Sequence, residues 1–220
     1  MKYPVSFEIE LKKHDLPGKF IVFEGNEGSG KTTHALDLVK KLEAEGVKVI
    51  YTKEPTGGEI GQLIRRVLSG EVKSNPAALQ YLFGADRSMH QEEIVELLKQ
   101  GYVVISDRYF WSAAAYGLSD LGNVLDYYLT IYSILSFYNQ FLSPDITFFL
   151  DVNLDVAVER ISKSHKHSEI YDNREHMEKV KIGYDELIKK FPDEFTIIDA
   201  NRDLPQVSAD LMEKVKEKLK

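Results

Sequence analysis

The run Gly25-Asn26-Glu27-Gly28-Ser29-Gly30-Lys31-Thr32 fits the spacing Gly-x-x-x-x-Gly-Lys-Thr. It falls between an apolar stretch, Phe20-Ile21-Val22-Phe23, and a helical pattern opening near Thr33. A strand, a glycine turn and a helix in that order constrain the fold more than any other feature of the chain. Glycines let backbone N–H groups turn inward around phosphate oxygens, and the helix N-terminus adds its partial positive charge. Lys31 then reaches the β- and γ-phosphates of a bound triphosphate, and the Thr32 hydroxyl is placed to ligate Mg²⁺. Gly25, Asn26, Glu27, Gly28, Ser29, Gly30, Lys31, Thr32 and Thr33 are therefore the candidate nucleotide-binding segment.

Around this loop, short apolar runs alternate with longer helical patterns, which predicts βα units and a parallel sheet covered on both faces. Strands are expected at Phe20 to Glu24, Val47 to Thr52, Val103 to Ser106, Ile146 to Asp151 and Thr196 to Asp199. Helices are expected at Thr32 to Glu45, Ile60 to Leu68, Pro76 to Lys99, Val124 to Leu142, Leu154 to Ser162, Arg174 to Lys190 and Leu204 to Leu219. The fold class that follows is α/β, a P-loop NTPase-type parallel sheet of about five strands with helices on both faces and a short lid. No repeat or Pro/Gly-rich linker divides the chain, so residues 19–220 read as one domain after an N-terminal extension, 1–18. In that extension Val5, Phe7 and Ile9 alternate like an edge strand or an ordered arm. The segment Val124 to Leu142 is apolar around much of its circumference, which fits either a homodimer face or a central core helix.

Charge and composition narrow the partners. With 35 acidic against 28 basic residues and a net charge of -7, nothing favours an electrostatic grip on nucleic acid or an anionic membrane. The chain has no cysteine, which excludes disulfides, thiolate metal sites and cysteine nucleophiles. No stretch has the apolar length of a signal peptide or a bilayer span, and a cytoplasmic protein is expected.

Four further clusters fall where loops leave the C-terminal ends of strands, the edge at which open parallel sheets bind ligands. They are Lys53-Glu54-Pro55-Thr56-Gly57-Gly58 with Ile64-Arg65-Arg66, Tyr81-Leu82-Phe83-Gly84-Ala85-Asp86-Arg87, Ser106-Asp107-Arg108-Tyr109 with Ser112 and Tyr116, and Arg160 with Tyr171-Asp172-Asn173. Phe83 and Arg87, four apart on a helix, share a face. Arg65 and Arg108 carry permanently charged, fork-shaped guanidinium groups suited to a phosphate. Asp107, at a strand end, is placed to bind Mg²⁺ or to orient Arg108. Each also has a plain structural reading: a core aromatic for Phe83, a surface ion pair for an arginine, packing for Tyr116.

Taken in order, these motifs resemble the thymidylate kinase family of nucleoside monophosphate kinases, from about Phe20 to the C-terminus. The resemblance implies transfer of the ATP γ-phosphoryl group to dTMP, giving dTDP, with ATP and Mg²⁺ as the cofactors expected. It implies thymine stacking on Phe83 and a hydrogen bond from Arg87, with Glu54, Pro55, Arg65, Arg108, Ser112 and Tyr116 as further acceptor contacts. Glu27 would meet the sugar 3′-hydroxyl, and Tyr116 would crowd the 2′ position. Lys31, Arg108, Asp107, Arg160 and Lys163 are the candidate catalytic residues, with Thr32 and Asp107 toward the metal. The chain departs from the family pattern in three places. The lid, about 162–172, offers Lys163, His165, Lys166 and His167 where many relatives have arginines; Gly28 and Ser29 are neutral; and Gly117 replaces a side chain that contacts the base. A kinase for another nucleoside monophosphate, and a non-catalytic P-loop module, are the alternatives. A GTP-binding switch is disfavoured, since no Asn-Lys-x-Asp sequence is present.

Overall fold

The computed structural model describes residues 8–121, 127–163 and 173–219. In chain order they form β1 (Lys19–Glu24), α1 (Lys31–Ala44), β2 (Val49–Lys53), α2 (Glu59–Leu68), α3 (Pro76–Lys99), β3 (Val103–Asp107), α4 (Phe110–Leu121), α5 (Tyr127–Tyr138), β4 (Ile146–Asp151), α6 (Leu154–Lys163), α7 (Arg174–Lys190), β5 (Thr196–Asp199) and α8 (Leu204–Leu219). The strands make one five-stranded sheet in the order β2-β3-β1-β4-β5. Every pairing is parallel, and central β1 aligns Ile21 with Ile105 on one side and Ile146 on the other.

Alternation along β1 divides the interior into two cores. Phe20 and Val22 pack with Ile64, Leu98, Trp111, Leu135 and Leu187 from α2, α3, α4, α5 and α7. Ile21 and Phe23 pack with Leu38, Ala157 and Leu211 from α1, α6 and α8. A strand buried on both faces must be apolar at successive positions, which is why these strands read as continuous runs. The expected five parallel strands with helices on both faces are what the structure contains.

Several boundaries differ from the sequence reading, α5 ending at Tyr138 rather than Leu142 among them, and two differences have a visible cause. Strand β2 begins at Val49 rather than Val47, because Gly46 N–H bonds to Glu43 O and Val47 N–H to Leu42 O, closing the end of α1. Helix α4 was not expected. It carries no capping side chain of its own; instead the N–H groups of Tyr109 and Ser112 donate to Glu24 Oε1 at 3.0 and 3.1 Å. A carboxylate 85 residues earlier thus does the work of an N-cap, and no local pattern announces it. In α5, Ile131, Leu135 and Tyr138 are buried while Ser133, Ser136 and Phe137 face outward. It is a core helix with one exposed strip.

The described part of the extension lies along the edge of the sheet opposite the phosphate loop. Ser143 N–H bonds to Lys12 O at 2.8 Å, Lys13 pairs with Glu194 at 3.0 Å, and Ile9, Leu11 and Leu16 pack on the first core. Lys12 and Leu142 form an isolated bridge, so this stretch is an arm rather than a strand. Val5 and Phe7 lie outside the described residues.

Candidate active site

Strand β1 delivers the glycine loop directly onto the N-terminus of α1. Gly28 has φ of 72°, a backbone that L side chains rarely adopt, and an added Cβ would overlap the carbonyl of Ala157 in α6. That contact is the physical reason an arginine has no place at position 28. Lys31 Nζ donates to the carbonyls of Gly25 at 3.1 Å and Asn26 at 2.7 Å. Burial, reinforced by the neighbouring Arg108 charge, pushes the Lys31 ammonium down to about 8. Ser29 Oγ and Asn26 Oδ1 are buried without a protein partner, as befits a loop shaped for a polar ligand.

Beside Lys31, Thr32 Oγ1 donates to Asp107 Oδ2, and Tyr51 OH approaches the same oxygen at 3.4 Å. Thr32 and Asp107 therefore present two hard oxygen ligands side by side, a donor set that fits Mg²⁺. Among the described residues no group of three or more His, Cys, Asp or Glu gathers into a metal cluster, so any Mg²⁺ here would complete its shell with phosphate oxygens and water.

Across from the glycine loop the site is built around Arg108, which has φ of 76°. That left-handed backbone is held by Arg108 N–H to Phe23 O at 2.9 Å and by Ser106 Oγ to Arg108 O at 2.7 Å. Its guanidinium donates to Glu27 Oε1, to Tyr116 OH at 3.1 Å and to Ser112 Oγ at 3.0 Å. Burial opposes the charge on Glu27, but Arg108 and Lys31 outweigh it and hold the carboxyl down to about 2. Glu27 is thus a permanent acceptor.

Glu27, Arg108, Ser112 and Tyr116 form one wall of a recess of about 490 Å³ including its open mouth; Phe83, Arg87, Glu54, Pro55, Leu68 and Ala113 form the rest. Its size and mixed lining are those of a small-molecule site. Arg87 is buried, with Nε and Nη2 on Glu54 Oε2 and with Nη1 buried and unpartnered. The loop carrying Pro55 is fastened by Asp86, which accepts from Thr56 N–H at 2.8 Å and Thr56 Oγ1 at 2.6 Å.

The remaining candidates fall elsewhere. Arg65 donates to the carbonyls of Pro55 and Thr56, buttressing that loop from outside the recess. Arg160 donates to Ala200 O at 3.0 Å, beside buried His34. Lys163 is 72% exposed and pairs with Glu159, and Arg174 pairs with Asp155 and Glu178 on the surface. His165, Lys166, His167, Tyr171 and Asp172 lie outside the described residues. At Gly117, an added Cβ would meet Ile134 Cδ1, so a side chain there would require the Ile134 side chain on α5 to shift.

Three functional-looking residues escaped the sequence reading. Glu24 is fully buried, accepting from Tyr184 OH at 2.8 Å and from Ser112 Oγ as well as the two N–H groups at the start of α4. Burial pushes its carboxyl up, against those hydrogen bonds and the Arg108 charge. Tyr184 and His90 are the others. The available signal was a carboxylate closing an apolar strand, and a histidine three residues after Arg87 on the same helical face.

An all-parallel sheet with a phosphate loop on its central strand and a second polar recess across the same edge is an arrangement that P-loop nucleoside monophosphate kinases use. The particular family follows from comparison with known proteins. A sequence model described as thymidylate kinase matches residues 23–211. A probable thymidylate kinase of Methanococcus maripaludis strain C7 is 39% identical over 208 residues, covering 91% of this chain and 96% of that protein. The thymidylate kinase of Lactobacillus delbrueckii subsp. bulgaricus is 34% identical, covering 91% and 97%. The solved thymidylate kinase of Candida albicans superposes with a TM-score of 0.75 at 28% identity, covering 92% of this chain and 94% of that one. The chain belongs to the thymidylate kinase family.

Proposed function

We propose that the chain transfers the γ-phosphoryl group of ATP to dTMP, giving dTDP and ADP. The observation that carries this reading is the recess beside Lys31, which combines an aromatic face, Phe83, an unpartnered Arg87 donor, and the Glu27–Arg108–Tyr116 cluster next to the phosphate loop. Phe83 stacks the base and Arg87 donates to a ring carbonyl. Ionised Glu27 accepts from the 3′-hydroxyl, and Tyr116 crowds the 2′ position. Arg108 exchanges part of its bonding to Glu27 for the acceptor phosphate.

In phosphoryl transfer the acceptor is already an anion, so no strong general base is required and catalysis is positioning with charge neutralisation. An acceptor phosphate oxygen attacks the γ-phosphorus as the bond to the ADP oxygen breaks. Lys31 and Arg108 flank that line of transfer and stabilise the charge spread over the migrating group. Mg²⁺, held through Thr32 and Asp107, would supply further charge neutralisation at the phosphates. Arg160, beside His34 and Ala200, is assigned to the donor nucleotide. A cytoplasmic setting belongs to the same reading, supported by a chain without cysteine. So does a homodimer, supported by exposed Tyr81 and Met89 on α3 and Phe137 on α5; sedimentation equilibrium tests it.

The deciding experiment is a coupled assay of ADP release with ATP and, in turn, dTMP, dUMP, dCMP and dGMP. Turnover with dTMP well above the other acceptors is expected. A clear preference for dCMP or dGMP would transfer the reading to another nucleoside monophosphate kinase, and turnover with none would leave a non-catalytic P-loop module.

A further inference from the structure

We propose that His90 is a positioning residue for acceptor recognition: clamped between Thr52 and Glu54, it fixes the carboxylate that aims Arg87 into the recess. This rests on the reading that Arg87 meets the acceptor base.

The geometry runs across three elements. Arg87 places Nε at 2.7 Å from Glu54 Oε2 and Nη2 on the same oxygen. The other oxygen, Oε1, lies 3.0 Å from His90 Nδ1, and His90 Nε2 lies 2.7 Å from Thr52 Oγ1 at the end of β2. His90, Glu54 and Arg87 are all buried. An ionised carboxylate only accepts, so the histidine proton on this side must sit on Nδ1. Burial opposes the charge on Glu54, but Arg87 and His90 outweigh it and hold its carboxyl below the usual range.

Two tyrosine rings crowd the guanidinium. Its central carbon lies 4.8 Å from the Tyr138 ring centroid and 5.6 Å from that of Tyr109. Glu54, holding Nε and Nη2 on one oxygen, sets how the fork is turned beside them. With both carboxylate oxygens engaged, Glu54 cannot swing, and Nη1 stays as the one Arg87 nitrogen without a protein partner. Without His90, Oε1 would be buried and unpaired; the carboxylate would turn to satisfy it from Arg87, and the guanidinium of this recess-lining residue would shift with it.

Steady-state kinetics on Arg87→Ala, His90→Ala, the double variant, His90→Asn and Thr52→Val test this. His90→Ala should raise the dTMP KM about tenfold with the ATP KM unchanged. In the Arg87→Ala background the same change should add less than about twofold, because the group it positions is gone. His90→Asn keeps an N–H near the Nδ1 position and should return the dTMP KM to within about threefold of the parent. Thr52→Val is nearly isosteric and serves if His90→Ala fails to fold; it should raise the dTMP KM about threefold. Equal effects of His90→Ala in both backgrounds, a matching rise in the ATP KM, or an unchanged dTMP KM in His90→Ala and Thr52→Val would each overturn the proposal. If Arg87→Ala itself leaves the dTMP KM unaltered, the base-contact reading falls first and takes this inference with it, an outcome distinct from the others.

Discussion

Lys31 should make the ligand-free protein less stable while making the enzyme possible. Its ammonium is pushed from the lysine value of 10.5 to about 8, chiefly by burial and then by Arg108. At about 1.36 kcal/mol per unit, that difference of 2.5 corresponds to roughly 3 kcal/mol against the charged form in the folded state. Below about pH 8 the lysine is charged whether folded or unfolded, so the folded protein bears the whole cost. Between 8 and 10.5 the folded state releases its proton and the unfolded state does not, so the cost is relieved as pH rises. Lys31→Met removes the charge but also two hydrogen bonds, to Gly25 O and Asn26 O, worth about 1 kcal/mol each. The net expectation at pH 7 is a variant more stable by about 1 kcal/mol, or a few degrees in Tm for a domain of this size. That advantage should reverse toward pH 10.5. Turnover should be lost, and ATP should cease to raise the Tm. Thermal denaturation of both proteins from pH 7 to 10.5 reads the difference directly, because other titrating groups cancel. A variant less stable at pH 7 by an amount that does not change with pH would refute the reasoning.

Other consequences can be measured in the same preparations. Phe83→Ala should raise the dTMP KM while sparing the ATP KM, since stacking a base on an aromatic ring is worth about 1–3 kcal/mol; equal changes in both would make Phe83 a core residue. Gly28→Ala forces a Cβ against Ala157 O at φ of 72°, and should cost about 2 kcal/mol or more in denaturant titration together with most ATP affinity. Lys163→Ala should leave kcat within about twofold of the parent, as an exposed i,i+4 ion pair with Glu159 contributes little; a large fall in kcat would return Lys163 to the transition state. Arg160→Ala, in contrast, should raise the ATP KM more than the dTMP KM.

What could be read from the sequence is what local chemistry dictates. The phosphate loop, the five strands and most helices were legible because glycine spacing and apolar periodicity act over a few residues. Phe83 and Arg87 were legible as a pair because four residues is one helical turn, and the structure brings both to the recess. For Arg65 the charge was legible, but its bonds to two carbonyls of the preceding loop, made nine and ten residues away, were not. Helix α4 was hidden because its N-terminus is capped by Glu24, and His90 because its partners lie 36 and 38 residues away. Lys163 was weighed by its charge and its place at the lid, and the structure adds that it pairs with Glu159 at the exposed end of α6.

The contacts around β1 also explain how one loop can serve two substrates. Glu24 closes β1, caps α4 through Tyr109 and Ser112, and reaches Tyr184 on α7. Ser112 in turn accepts from Arg108, so the arginine of the acceptor side is referred to the strand that carries the phosphate loop. Two residues further on, Asn26 Nδ2 donates to Met177 O on α7 at 3.2 Å, and Gly28 lies against Ala157 on α6. Helices α6 and α7 flank the 164–172 segment, and both are therefore seated on the phosphate loop itself. The glycine loop, Arg108 and helices α6 and α7 are thus linked through one set of contacts. A side chain at Gly28 or a lost carboxylate at Glu24 is expected to disturb both sides of the site together, so either substitution should lower kcat as well as affinity.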